Sequence, residues 1–420
     1  MSQPVPQQTS QQWGQQQYPP QRYPQYSQQS YPPYPSQSDA SFTQGGAAGP
    51  IGHNGPVGQG RPGGSMPPQP GMYAPMPSAG SYGMPVDPAA ARRYALRRTV
   101  NRSAGLILAY QTIIMAASMV FGLIIGVVAS VAMIARSGAT GATGDGGLMT
   151  DAQMASDIML RWTGMLSLAS VLVGFLFMLL MRHRMILTRA FWTGVPGEHA
   201  DMRPAWFLTF LALVIGVQSV LILAQLIFAA LGIPLVSPTS DSLDESAVTV
   251  SMWLYIGLIG PVVEEVVFRG VLMRQLRPFG RNFAIVTSAL MFALFHDDVV
   301  QGVFAFLCGL VFGFVAMEYS LVWSIALHVV NNAVISGVLS EFAASFGPTG
   351  DAAYAFLLMI VGIGGLIAVW MNHGWGLREY ARINRSEPGT YRSWTTGWFL
   401  AFVIINGVVT LVSFASAMIG

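Results

Sequence analysis

From residue 104 onward the chain is a succession of apolar runs, most of them long enough to cross a bilayer, which takes roughly 20 helical residues. They fall near 104–135, 163–181, 206–233, 250–273, 283–296, 299–317, 321–343, 353–371 and 395–418, and the fifth is short. Hydrocarbon holds no water to satisfy a backbone, so only helices and closed barrels span it, and runs of this length read as helices. Composition agrees. The chain is 52% hydrophobic and 10% charged, where a soluble domain carries about 25% charged residues. The sequence predicts an all-α polytopic membrane protein of about nine transmembrane helices.

Loop charges test that count, because cytoplasmic loops hold the excess of basic residues. Every basic residue here is an arginine. Arg92, Arg93, Arg97, Arg98 and Arg102 precede the first run and place the amino terminus inside. Arg182, Arg184, Arg189 and Arg203, then Arg274, Arg277 and Arg281, then Arg378, Arg382, Arg385 and Arg392, mark alternate loops. The intervening loops are mainly acidic, and only Arg136 and Arg161, both at run edges, break the alternation. Nine helices with the carboxyl terminus outside satisfy it, whereas eight would invert part of it. The expected location is an integral, plasma-type (cytoplasmic) membrane with a cytoplasmic amino terminus.

Residues 1–91 form a separate part, rich in Gln, Pro, Tyr and Gly. Few branched aliphatics mean that this tail cannot bury enough surface to offset its ordering entropy, so it is expected to be disordered. It fits a plain linker, a tether or an arm for cytoplasmic partners. Nothing apolar near Met1 resembles a cleavable signal, so the first run is expected to serve as its own insertion signal. A formal net charge of +2, with arginines in short clusters between apolar runs, gives no basic face for nucleic acid. Cys308 is the single cysteine, which excludes an intramolecular disulfide and a cysteine-based metal site.

Within the spans, ionisable groups occur in only three: Glu264, Glu265 and Arg269 in the fourth, His296 in the fifth and His328 in the seventh. A single such group serves equally well as inter-helix glue or as a functional residue, but five confined to three spans favour a site. At 1.5 Å per residue, Glu264, His296, His328 and Asn332 all lie roughly 12–20 Å from the cytoplasmic ends of their runs. They could meet. Glu265 and Arg269 are spaced i,i+4 with the glutamate first, the favourable order for an ion pair. Glu264 is rotated about 100° around the helix and has no partner on it, which makes it the candidate general base. His328 and Asn332 share a helical face and offer donors side by side, and His296 can share a water with Glu264. Pro261 frees a carbonyl just before the glutamates and is expected to bend the helix. Gly309 and Gly313 form a GxxxG packing face. Asp297 and Asp298 read as solvated acids at a helix end.

These residues resemble a known pattern: EEVVFR (Glu264–Arg269) fits EExxxR, FALFH (Phe292–His296) fits FxxxH and HVVNN (His328–Asn332) fits HxxxN. In order and spacing they are similar to the CPBP (Abi) family of intramembrane proteases. That family includes type II CAAX prenyl endopeptidases and bacteriocin-immunity and lysostaphin-resistance-type proteins. The likeness covers about residues 205–345. It implies an intramembrane endopeptidase acting on a membrane-associated protein or peptide, in a transmembrane domain spanning 92–420. Glu264 and His296 would activate a water, His328 and Asn332 would stabilise the tetrahedral oxyanion, and Glu265 and Arg269 would support Glu264. Glu264, His296 and His328 offer a ligand set for zinc. However, HExxH is absent and asparagine is a poor zinc ligand, so a metal-free glutamate mechanism is favoured. The prenylated substrate is not carried over.

Two rivals remain from other classes. A transporter would use the buried carboxylates as an ion relay, but it should show inverted repeats, and no second copy of the EExxxR segment occurs. A non-catalytic immunity or scaffold protein would keep the fold and bind partners through the tail.

Overall fold

The computed structural model describes residues 87–140, 145–233, 235–247 and 249–419; the tail expected to be disordered lies almost wholly outside them. No strand occurs among the described residues. The first helix, α1 (Pro88–Thr140), starts a little before the expected boundary at 91. Its start follows from local chemistry: Pro88 occupies the first helical position, and Asp87 Oδ1 accepts the Ala89 N–H at 2.9 Å.

Ten further helices follow: α2 (Asp145–Ile186), the short α3 (Arg189–Thr193), α4 (Pro204–Ala230), α5 (Pro238–Ser246), α6 (250–276), α7 (Arg281–Leu294), α8 (Val299–Glu318), α9 (Leu321–Ala344), α10 (Pro348–Ile383) and α11 (Gly397–Ile419). Seven helices among the described residues are long and apolar enough to cross a membrane. The remaining two expected spans are α7, which is apolar but short, and α6, whose α-helical turns are interrupted by wider π turns at Tyr255–Ile259 and Val266–Met273. All nine expected spans are therefore helical. The protein is an integral membrane protein, and its lipid-facing side chains, such as Val131, Leu180, Met371 and Trp375, are exposed and apolar.

Helices pack without a hydrophobic force where lipid is the solvent, so small residues decide how closely they approach. Along the α4–α10 contact, a Cβ at Gly362 would fall 1.9 Å from Ser219 Oγ. That hydroxyl reaches across to the Leu358 carbonyl at 2.7 Å. Along α7–α8, a Cβ at Gly309 would lie 3.0 Å from Arg269 Nη2 and 3.2 Å from Ala289 Cβ. The GxxxG face does pack, and it also makes room for the buried guanidinium.

At one end of the bundle the helices are tied by polar groups. Arg281 Nη1 meets both Glu318 oxygens at 2.7 and 2.9 Å, and Tyr380 O–H donates to Glu318 Oε1 at 2.6 Å. One carboxylate thus links α7, α8 and α10.

Candidate active site

The glutamates sit on the one α-helical stretch of α6, Gly260–Glu265, between its two π turns. Pro261 explains the first of these. It carries no N–H, and Gly260 N–H bonds back to Tyr255 O, the π pattern. The Ile256 carbonyl takes its hydrogen bond instead from Asn332 Nδ2 at 3.2 Å, across from α9. In this π register the carbonyl left without a donor by Pro261 is that of Ile256, five residues back, and it receives Asn332; a regular α-helix would have freed that of Gly257. Farther along, the Phe268 carbonyl accepts from Ser288 Oγ of α7 at 2.9 Å. Wide turns at membrane depth are tolerated because neighbouring helices fill such acceptors.

The ion pair forms as the spacing predicts. Glu265 and Arg269 are both fully buried, with Oε1 and Nη1 2.9 Å apart. Arg269 lies over the Phe292 ring, 4.2 Å from Cζ to centroid, and farther from Phe312 at 5.6 Å. This guanidinium is charge-paired on one side and capped by aromatic faces on the others.

Glu265 does more than pair with Arg269. Its Oε1 also receives His328 Nδ1 at 3.0 Å, and its Oε2 receives Ser324 Oγ at 2.6 Å. A carboxylate held by an arginine accepts, so His328 Nδ1 donates and its Nε2 is left facing outward. Nε2 lies 3.8 Å from Glu264 Oε2. The His328 ring is held flat against Phe312, with centroids 4.6 Å apart. One histidine therefore stands between the two glutamates, hydrogen-bonded to Glu265 and facing Glu264.

Glu264 is partly open, its side chain 22% exposed, and has no hydrogen bond among the described residues beyond this His328 contact.

His296 lies just past the end of α7 and is half-buried. Its Nδ1 donates to the Phe292 carbonyl at 2.7 Å, which leaves Nε2 as the free lone pair. No hydrogen bond or ion pair links His296 to Glu264, His328 or Asn332 among the described residues. Phe292 connects them instead. Its ring is 4.7 Å from that of His296, 6.1 Å from that of His328, and beneath Arg269. The phenylalanine of the FALFH motif spaces the two histidines.

One expectation is corrected. Asp298 is 2% exposed and not a solvated acid. It caps α8 through Gln301 N–H at 2.8 Å and accepts from Ser237 Oγ at 2.9 Å and Thr239 N–H at 3.2 Å. Asp297 is half-buried and bonded by Gln111 of α1. A carboxylate with that many donors is better satisfied inside than solvated, and a sequence does not display donors contributed by distant helices.

Uncharged side chains complete the cluster. Asn331 Nδ2 donates to Asn332 Oδ1 at 2.9 Å and its own Oδ1 accepts from Gln218 Nε2 at 2.9 Å, so an amide chain from α4 orients Asn332. Ser324, Gln218 and Asn331 carry no formal charge, so the charge pattern of the apolar runs does not single them out. The neighbouring pair in HVVNN was the available signal.

Among the described residues no group of three or more His, Cys, Asp or Glu side chains is arranged to hold a metal ion.

A polytopic helical membrane protein with a buried glutamate–histidine–arginine cluster is the class that fold and site define. Residues 246–334 match the family model described as type II CAAX prenyl endopeptidase Rce1-like. That match bears out the resemblance carried by the three motifs and supports a membrane protease. No curated protein and no solved structure matches the chain.

Proposed function

We propose that the chain is an intramembrane endopeptidase that cleaves a membrane-associated protein or peptide by a glutamate-dependent, metal-free hydrolysis. The observation that carries this reading is the placement of His328, its Nδ1 3.0 Å from Glu265 and its Nε2 3.8 Å from Glu264. Glu265 already neutralises Arg269, so Glu264 is the carboxylate left to take a proton.

In this reading Glu264, with His296 Nε2 as the second acceptor, removes a proton from a water as the water attacks the scissile carbonyl. The proton passes to His328 Nε2. With Nδ1–H held by Glu265, that ring then carries both protons and donates Nε2–H to the oxyanion. Asn332 keeps a second amide hydrogen free of the Ile256 carbonyl for the same oxygen. Collapse of the intermediate returns the proton to the leaving amine. An oxyanion donor in a dry, preorganised site is typically worth about 3–4 kcal/mol. The amino terminus on the cytoplasmic side belongs to the same proposal and rests on the arginine loops.

Glu264→Gln keeps the side chain's shape and removes the base. Comparative membrane proteomics should find peptides cut in wild-type cells and uncut in the variant, with equal amounts of folded protein in both. Full turnover by Glu264→Gln sinks the mechanism. Cleavage should also survive a strong chelator followed by metal-free repurification; loss that zinc restores would make the enzyme a metalloprotease.

A further inference from the structure

The helices α1 and α11 lie outside the matched segment 246–334, yet they grip the turn that carries His296. Two consecutive α1 residues hold its neighbours. The Tyr110 ring stacks on Phe295 with centroids 5.8 Å apart, and Gln111 Nε2 donates to Asp297 Oδ2 at 3.3 Å. Gln111 Nε2 also donates to Asn406 Oδ1 on α11, and Asn406 Nδ2 is anchored on the Phe402 carbonyl at 2.8 Å. Tyr110, Gln111 and Asn406 are all buried. His296 sits between the two gripped residues.

Asp297 has φ of +53°, a left-handed conformation that strains most L-residues and that aspartate tolerates better than most. Such a turn persists when its surroundings over-determine it. On the far side Asp298 is locked by Ser237, Thr239 and the α8 amino terminus. Plain inter-helix glue would leave the bonds of Gln111 anywhere along the bundle. Here they converge on the residue after His296, while the same stretch of α1 packs the residue before it. The imidazole itself hydrogen-bonds only its own chain at Phe292 among the described residues, so its aim depends on the turn.

We propose that Gln111, held by Asn406, is a positioning residue for His296, fixing the 295–297 turn so that Nε2 points at the water Glu264 activates. This rests on the reading of His296 as a water-activating group.

The test uses full-length protein in nanodiscs with ¹⁵N-labelled histidine, the His296 ring signals being assigned by their loss in His296→Gln. Gln111→Leu and Asp297→Gly should shift or broaden the His296 signals and leave those of His328 in place, with Tm changed by less than about 4 °C. Asp297→Asn, which keeps an acceptor and tolerates the positive φ, should stay close to wild type. On a peptide identified by the proteomic comparison, Gln111→Leu should lower kcat about tenfold with KM within roughly twofold, as expected for a misaimed base. Unchanged His296 signals in Gln111→Leu overturn the proposal, and so do moved signals with unchanged kcat. Failure of the protease reading shows elsewhere: His296→Gln and Glu264→Gln would then cleave like wild type, whatever the spectra of Gln111→Leu.

Discussion

At the scale of single residues, Glu265 carries the largest share of the site's polar order. Arg269, His328 and Ser324 all converge on its two oxygens. Removing its charge leaves a fully buried guanidinium unpaired, which typically costs about 3–5 kcal/mol. Glu265→Gln is therefore expected to lower both the melting temperature in detergent and the yield of folded protein, together with activity. An unchanged Tm would show that the pair is not a structural anchor. The Glu265–Arg269 pair was legible in the sequence because both partners lie on one helix at a spacing that fixes their geometry. The contacts with Ser324 and His328 were not, because they join residues about 60 positions apart, and nothing in either local stretch specifies the meeting.

At the scale of elements, the site depends on helices that are not regular. In α6 the π turns flank the glutamates, and in α9 the π segment Val330–Leu339 begins beside His328 and includes Asn332. The bond from Asn332 to Ile256 exists because Pro261 has no N–H to offer. Pro261→Ala restores a donor that competes for this carbonyl. A neutral hydrogen bond is worth about 1 kcal/mol net, so the substitution should lower kcat on the order of tenfold while Tm holds or rises. Full activity with a raised Tm would show that the bond to Ile256 does not orient Asn332. That Pro261 frees a carbonyl was predictable from the proline alone; which carbonyl and which partner were not, since the π turn moves the vacancy from Gly257 to Ile256 and any donor from a neighbouring helix would have served.

At the scale of the whole molecule, the loop after α3 is fastened to the end of α8 by the Ala200 N–H on the Glu318 carbonyl at 2.9 Å, and it carries the partly buried His199. The His199 ring lies against Gly194, where any Cβ would fall 2.2 Å from ring Cδ2, so only glycine fits beneath it. Burial, and then the nearby Arg277 and Arg274, hold its pKa below the ordinary value of 6.5. A histidine kept neutral in the fold binds fewer protons than in the unfolded chain. Its stabilising contribution is present above about 6.5 and is lost as the pH falls from there through the depressed folded value. Melting temperatures measured between pH 7.5 and 5.5 should fall with acidification, and His199→Gln should flatten that fall. An identical pH profile in the variant would assign the sensitivity to other groups.

The sequence by itself determined the class of fold, the helical character of the nine expected spans, and the motif residues Glu264, Glu265, Arg269, His296, His328 and Asn332. Hydrocarbon permits so few backbone solutions that length and apolarity dictate helices, and charges stand out inside them. Only the tertiary structure decided who touches whom. It turned His328 toward both glutamates, placed Phe292 between the histidines, buried Asp298, and brought Gln111 and Asn406 of the flanking helices onto the His296 turn. These are contacts between uncharged or distant side chains, set by how closely small residues let helices approach and by which free backbone groups need a partner. No period or spacing within one segment encodes them.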